Sequence, residues 1–198
     1  MDTALSILVV DENGARAAII EDGLREAGYC NVAIVAETLG LMRRIETLGP
    51  DVIIMDLGNR NRDQLEEFFQ VSRSVRRPVA MFVDCSDRDS IEAAIEAGVS
   101  AYIVDGLRKE RVKPILDMAV LRFRAFERLS SDLRTARSEL DERKVIDKAK
   151  KLLMQSQKIA ENEAYKQMRR RAMNENLRIV EIARRLLDAS SRSNEASR

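Results

Sequence analysis

The chain has 198 residues, 45% of them hydrophobic and 34% charged, enough for one ordinary domain with its own core plus a smaller module. It holds no histidine and only two cysteines, which removes imidazole-based triads, imidazole metal sites and any disulfide framework, and makes a metabolic enzyme a poor fit. A net charge of +1 conceals a split: residues 1–118 carry 14 Lys/Arg against 21 Asp/Glu and residues 119–198 carry 20 against 12, which points the second part toward a polyanion.

Apolar runs at residues 5–10, 32–36, 52–55, 79–83 and 101–104 are brief and rich in Val and Ile, and predict five buried strands. Between them, residues 15–27, 39–48, 64–74 and 89–97 have helical period, three of them closed by Gly28, Gly49 or Gly98 as left-handed helix stops. This alternation predicts an α/β domain whose parallel sheet is covered on both faces, with functional loops at the carboxyl ends of the strands. Polar residues stand there: Asp11 and Glu12 after the first strand, Asp56 in the third, Asp84 after the fourth and Asp105 after the fifth. Carboxylates converging on one sheet edge suit a hard divalent cation. Cys30 and Cys85, far apart and in no metal or redox spacing, read as buried free thiols. No run of about 18 apolar residues and no basic-then-apolar start is visible, so neither a membrane span nor a secretory signal is expected, and the expected location is cytoplasmic.

On these residues, and on the IEAAIEAGVSAYIV run of residues 91–104, the first 118 residues resemble a receiver domain of bacterial response regulators, a flavodoxin-like fold. The resemblance implies Mg2+ held by Asp11, Glu12 and Asp56, Asp56 as phosphoacceptor, and Tyr102 as an aromatic switch residue. Two positions depart from the family. Val83 stands where a hydroxyl would contact the phosphoryl group, and Asp105 stands where a lysine would pair with it. An apolar side chain donates no hydrogen bond and a carboxylate repels phosphate, so Asp56 is expected to be phosphorylated poorly, while the added carboxylate charge helps a cation and weak Mg2+ binding is still expected.

Residues 108–155 contain one proline, Pro114, near the start, and no glycine, and predict one long helix. Its apolar positions Leu116, Ala119, Phe123, Phe126, Leu129, Leu133, Ala136 and Leu140 alternate in threes and fours except for one irregular step between Phe126 and Leu129, a heptad-like seam with a phase defect. Beyond it, three helical pieces each carry an apolar face and are too short to stand alone, which predicts a compact three-helix module, with Asn162 and Asn174 as helix-starting caps. The Ser-rich residues 189–198 read as a flexible tail. The basic residues lie off the apolar faces: Lys144, Lys148 and Lys151, then Lys166, Arg169 and Arg170, then Arg178 and Arg185.

The AKKLLM run of residues 149–154 and the EAYKQMRRRAM run of residues 163–173, with residues 179–183, resemble the ANTAR domain, the RNA-binding module of AmiR/NasR-type transcription antiterminators. The whole layout resembles nitrate-assimilation regulators of the NasT type. The organisation expected is a receiver-like domain over 1–118, a coiled-coil connector over 119–143, an ANTAR module over 144–188 and a tail over 189–198. The resemblance implies RNA contact through Lys150, Lys151, Tyr165, Lys166, Arg169, Arg170 and Arg178. Tyr165 either stacks on an unpaired base or buries its ring. The function expected is that of a homodimeric antiterminator binding leader RNA stem-loops, controlled through the receiver by a ligand-sensing inhibitory protein, or a sensor kinase, more than by phosphorylation. A phosphorylation-dependent DNA-binding regulator and a dimeric signalling scaffold remain open.

Overall fold

The structure, a computed structural model, describes residues 4–195, with side chains over residues 4–190. The chain divides into two compact units, residues 1–127 and 128–198.

The first unit alternates β1 (Ile7–Val10), α1 (Gly14–Glu26), β2 (Val32–Val35), α2 (Leu41–Leu48), β3 (Val52–Gly58), α3 (Arg62–Ser74), β4 (Val79–Val83), α4 (Arg88–Glu96) and β5 (Ala101–Val104), and then enters α5 (Lys109–Gln157). The five strands are parallel in the order β2-β1-β3-β4-β5. Successive side chains of a strand point to opposite faces, so each strand feeds two cores. Leu8, Val10, Ile53, Met55, Met81 and Val83 pack on the face covered by α2, α3 and α4. Ile7, Val9, Ile54, Phe82 and Ile103 pack on the face covered by α1 and the start of α5. The doubly covered parallel sheet expected from the residue pattern is the one found, in the flavodoxin-like form that the resemblance implies.

Local chemistry accounts for the helix ends. Asn13 caps α1 by accepting from the Ala15 and Arg16 amides, and Asn61 and Gln64 form a reciprocal capping box on α3. After α1 the chain turns through Gly28 at φ 90°, which lets the Tyr29 amide reach back to the Leu24 carbonyl at 3.0 Å.

The second unit contains the later part of α5, then α6 (Glu161–Glu175) and α7 (Ile179–Glu195). Its core is built from Ala149, Leu153, Ala164, Met168, Ala172, Ile182 and Ala183, and the four alanines allow close helix approach. The connector and the first helix of the module are one uninterrupted α5.

Four expectations change. Leu116 and Ala119, placed by spacing on the coiled-coil seam, are buried against the sheet. The seam residues Phe126, Leu129, Leu133 and Leu140 are each more than half exposed. The irregular step between Phe126 and Leu129 falls at the border of the two units, and the stripe has already left the sheet before it, since the core takes Leu116 and Ala119 but not Phe126. Asn162 and Asn174 lie inside α6 and start no helix: Ala160 precedes α6 without a side-chain cap, and Asn176 ends it in the left-handed conformation. Cys30 and Cys85 are exposed, since each sits in a loop outside the strands. Finally, α7 extends over residues 189–195 of the expected flexible tail, and residues 196–198 lie outside the described residues.

Candidate functional site

The register of the sheet builds the first site. Val10 pairs with Met55, so the next residue of each chain segment, Asp11 and Asp56, stand side by side at the carboxyl edge. Asp84 follows β4, and its amide is held at 2.9 Å by the Gly58 carbonyl. The pocket here is lined by Asp11, Glu12, Arg16, Asp56, Arg60 and Asp84 among others.

Arg16 lines this pocket and bridges two of its acids. From the first turn of α1, its Nε donates to Asp56 Oδ2 at 2.6 Å, its Nη2 to Asp56 Oδ1 at 2.8 Å and its Nη1 to Asp84 Oδ1 at 2.7 Å. A planar guanidinium fork matches a carboxylate in this bidentate way, and such charge-assisted pairs are the strong ones. The bonds to Asp56, and next the bond to Asp84, hold Arg16 above its usual titration range. Asp56 is only 4% exposed, and its Oδ1 also accepts from the Gly58 amide at 3.2 Å. Both oxygens of the expected phosphoacceptor are therefore engaged.

Asp11, equally buried, accepts from the Asn13 amide at 2.7 Å through Oδ1, while its Oδ2 is buried without a partner. Burial pushes its carboxyl up to about 6; the Asn13 bond opposes this and the Asp56 charge adds to it. Glu12 turns away to Arg60, whose Nη2 lies 2.7 Å from Glu12 Oε2 and whose guanidinium sits 5.0 Å over the Phe68 ring. The three residues expected to share Mg2+ thus have separate partners. Among the described residues no group of three acidic or cysteine side chains converges to hold a metal ion. The arrangement does not fit the ion.

Val83 is buried in β4, consistent with its side chain lying in the core. Asp105 is exposed at φ 47° and does not line the pocket; Asp84 supplies the outer carboxylate instead. Tyr102 is half-buried, with its hydroxyl 3.1 Å from the Ser86 hydroxyl and its ring 6.4 Å from Phe69, and burial raises its phenol above the usual range. Arg16 and Arg60 were not foreseen. Arg16 did leave one signal: it is a cation in the first turn of a helix, where the backbone dipole disfavours positive charge, and such a residue needs acidic partners.

The second site is the outer face of α6. Ala164, Met168 and Ala172 face the core, which leaves Tyr165, Lys166, Arg169, Arg170 and Met173 on the exposed side. Tyr165, Arg169 and Met173 recur every four residues and form one row. Among the described residues Lys151, Lys166, Arg169 and Arg170 have no ion-pair partner, whereas the other two expected cationic contacts, Lys150 and Arg178, are committed elsewhere. Lys150 Nζ bridges Asp147 at 2.8 Å and Glu161 at 2.7 Å, tying α5 to α6, and these bonds, Asp147 first, raise its titration range. Arg178 pairs with Glu142 at 2.7 Å, tying the start of α7 to α5. A shallow pocket between α6 and α7, lined by Arg169, Met173, Asn176 and Arg178, continues the exposed row.

No helix among the described residues is long and apolar enough to cross a membrane. Against known proteins, residues 7–117 match the response regulator receiver domain and residues 134–187 match the ANTAR domain. The chain is 27% identical over 182 residues to the transcriptional regulatory protein PdtaR of Mycobacterium tuberculosis, spanning 92% of this chain and 89% of that one. It is 40% identical over 75 residues to the nitrate regulatory protein of Klebsiella oxytoca, a stretch covering 38% of this chain and 19% of that one. Similar solved structures include the signal receiver domain of a modulated diguanylate cyclase from Desulfovibrio desulfuricans, at TM-score 0.52 and 16% identity over 62% of this chain and 98% of that one. The chemotaxis response regulator CheY4 of Vibrio cholerae has a TM-score of 0.50 at 20% identity, over 59% of this chain and 98% of that one.

Proposed function

Because the chain belongs to the response regulator receiver family and also matches the ANTAR domain, we propose that it is an RNA-binding transcription antiterminator. The observation that carries this reading is the exposed α6 face, where unpaired Lys166, Arg169 and Arg170 flank an exposed tyrosine. Unpaired cations are available to phosphates, and an aromatic ring beside them gives an unpaired loop base a surface to stack on. Lys151, Tyr165, Lys166, Arg169 and Arg170 are the direct contacts in this reading. Lys150 and Arg178 hold the helices that present them.

The exposed stripe Phe126, Leu129, Leu133 and Leu140 supports a homodimer through α5, since side chains at this spacing meet a second helix of the same pattern. Two linked modules then engage paired stem-loops in leader RNA with an avidity that one module lacks. Control enters through the receiver by a partner protein in preference to phosphate, because Asp56 is already bound on both oxygens.

A mobility-shift titration of the full chain with hairpin RNA and with duplex DNA of equal length tests the reading. Preference for the hairpin is expected, with a log–log salt slope of roughly -3 for about four neutralised phosphates. Preference for the duplex would establish the DNA-binding alternative, and indifference to both the scaffold. Polar replacement of Leu133 and Leu140 is expected to halve the mass seen by light scattering; an unchanged mass would assign the stripe to another contact. Acetyl phosphate is expected to leave the intact mass unchanged, and stoichiometric phosphorylation with a large gain in RNA affinity would restore phosphate switching.

A further inference from the structure

Receiver domains in general bind Mg2+ at the phosphorylation site, yet here the carboxylates of that site have found a different cation. We infer that Arg16 is the resident cation of this pocket: its guanidinium takes the place that a divalent ion takes in other receivers, and the domain is held in one state without metal. The inference rests on the receiver assignment alone and not on the RNA reading.

Three observations carry it. The geometry is that of a filled site, since one guanidinium spans two carboxylates with three contacts between 2.6 and 2.8 Å, two of them to the buried Asp56. These bonds come from separate parts of the chain, Asp56 lying 40 residues and Asp84 lying 68 residues from Arg16, so the cation ties the start of α1 to the ends of β3 and β4. Arg16 is also placed against local preference, in the first helical turn, where it adds to the positive end of the dipole. A cation there is stable because the pocket supplies the opposing charge.

The remaining acids are arranged to match. Glu12, a further carboxylate from the same loop, is paired with Arg60 at 2.7 Å, and the Arg60 guanidinium sits over the Phe68 ring. Asp11 keeps one buried oxygen unpartnered beside the ion pair. That oxygen is the residual feature of a metal-binding set whose other members have been claimed. A divalent ion entering here would have to displace the Arg16 fork and leave a partly buried guanidinium nearby, which repels it.

The inference predicts a reversed metal response on removal of Arg16. The full chain, Arg16→Ala and the near-isosteric neutral Arg16→Gln are each melted by circular dichroism across an Mg2+ titration, with Mg2+ binding measured in parallel by calorimetry. The unsubstituted chain is expected to show no Mg2+-dependent shift up to about 10 mM. Both variants are expected to melt lower without metal and to recover stability as Mg2+ is added, because a ligand that binds only the folded state raises its stability in proportion to ln(1 + [Mg2+]/Kd). Their affinity should exceed that of the unsubstituted chain by at least about tenfold, the effect of removing one repelling charge from a partly buried pocket. If Arg16→Ala does not fold, Arg16→Gln and the unsubstituted chain still decide the matter. Equal Mg2+ affinity with and without Arg16 overturns the inference, as does an absence of Mg2+ binding in both variants, which would show that the freed carboxylates hold no ion. RNA is absent from the experiment, so its failure leaves the antiterminator reading standing, and loss of RNA binding leaves this inference standing.

Discussion

The receiver pocket and the outer face of α6 treat charge in opposite ways. In the pocket the cations are held by internal acids: Arg16 clamps Asp56 and Asp84, and Arg60 pairs with Glu12. On α6, Lys166, Arg169 and Arg170 have no acidic partner among the described residues although Glu161, Glu163 and Glu175 belong to the same helix. The difference teaches how to read charged residues: a cation whose partners are internal is part of the frame, and a cation left unpaired beside an aromatic ring is free for an external polyanion. Within the second unit Lys150 and Arg178 fall on the framing side and Arg169 and Arg170 on the free side.

The contrast breaks most visibly at Arg16. Replacement by alanine leaves Asp56 buried and unpaired, so unfolding free energy measured by chemical denaturation should fall by about 3 kcal/mol, the usual cost of removing one partner of a buried pair. Hairpin RNA affinity of the folded variant should stay within about twofold, because no RNA contact is touched. A loss below 1 kcal/mol would show that the clamp holds nothing together.

Arg169 and Arg170 should behave in the reverse sense. Their double alanine replacement is expected to lower RNA affinity about thirtyfold and to reduce the salt slope by about 2, with helicity by circular dichroism unchanged. Unchanged affinity would move the RNA site off α6.

Asp11 sharpens the comparison through pH. Its carboxyl is raised from an ordinary 3.8 to about 6 by burial, so the folded state binds its proton more tightly than the unfolded state. The stability this contributes is complete below about pH 4 and is lost as pH rises through 6. Asp11→Asn should therefore flatten that interval of the stability curve and be the more stable protein at pH 7, by about 1–2 kcal/mol. An identical pH profile for both proteins would place the carboxyl in contact with water.

The smallest effect is expected at Lys150. Lys150→Met keeps the stem and removes the ammonium that joins α5 to α6, so the module should melt slightly earlier while the salt slope of RNA binding stays the same. A slope reduced by about 1 would return Lys150 to the phosphate contacts.

The elements of this protein were legible because they are local. Short Val- and Ile-rich runs specify strands, helical spacing specifies the intervening helices, and the acids at residues 11, 12, 56 and 84 mark the carboxyl edge before any strand order is known. The tail motif could likewise be read as a unit, since its alanines and methionines lie on one face at fixed spacing. Pairing was not legible. That Arg16 meets Asp56 and Asp84 depends on β1 lying beside β3 and β3 beside β4, and strand adjacency is a property of the packed sheet. The same holds for the long helix, where spacing gave one apolar seam and packing assigns Leu116 and Ala119 to the sheet while leaving Leu133 and Leu140 outside. The exposure of Cys30 and Cys85, and the commitment of Lys150 to Glu161, also depend on which surfaces meet. Local patterning determined what this chain is built from; long-range contact decided which of its charges are spent inside the fold and which remain for a partner.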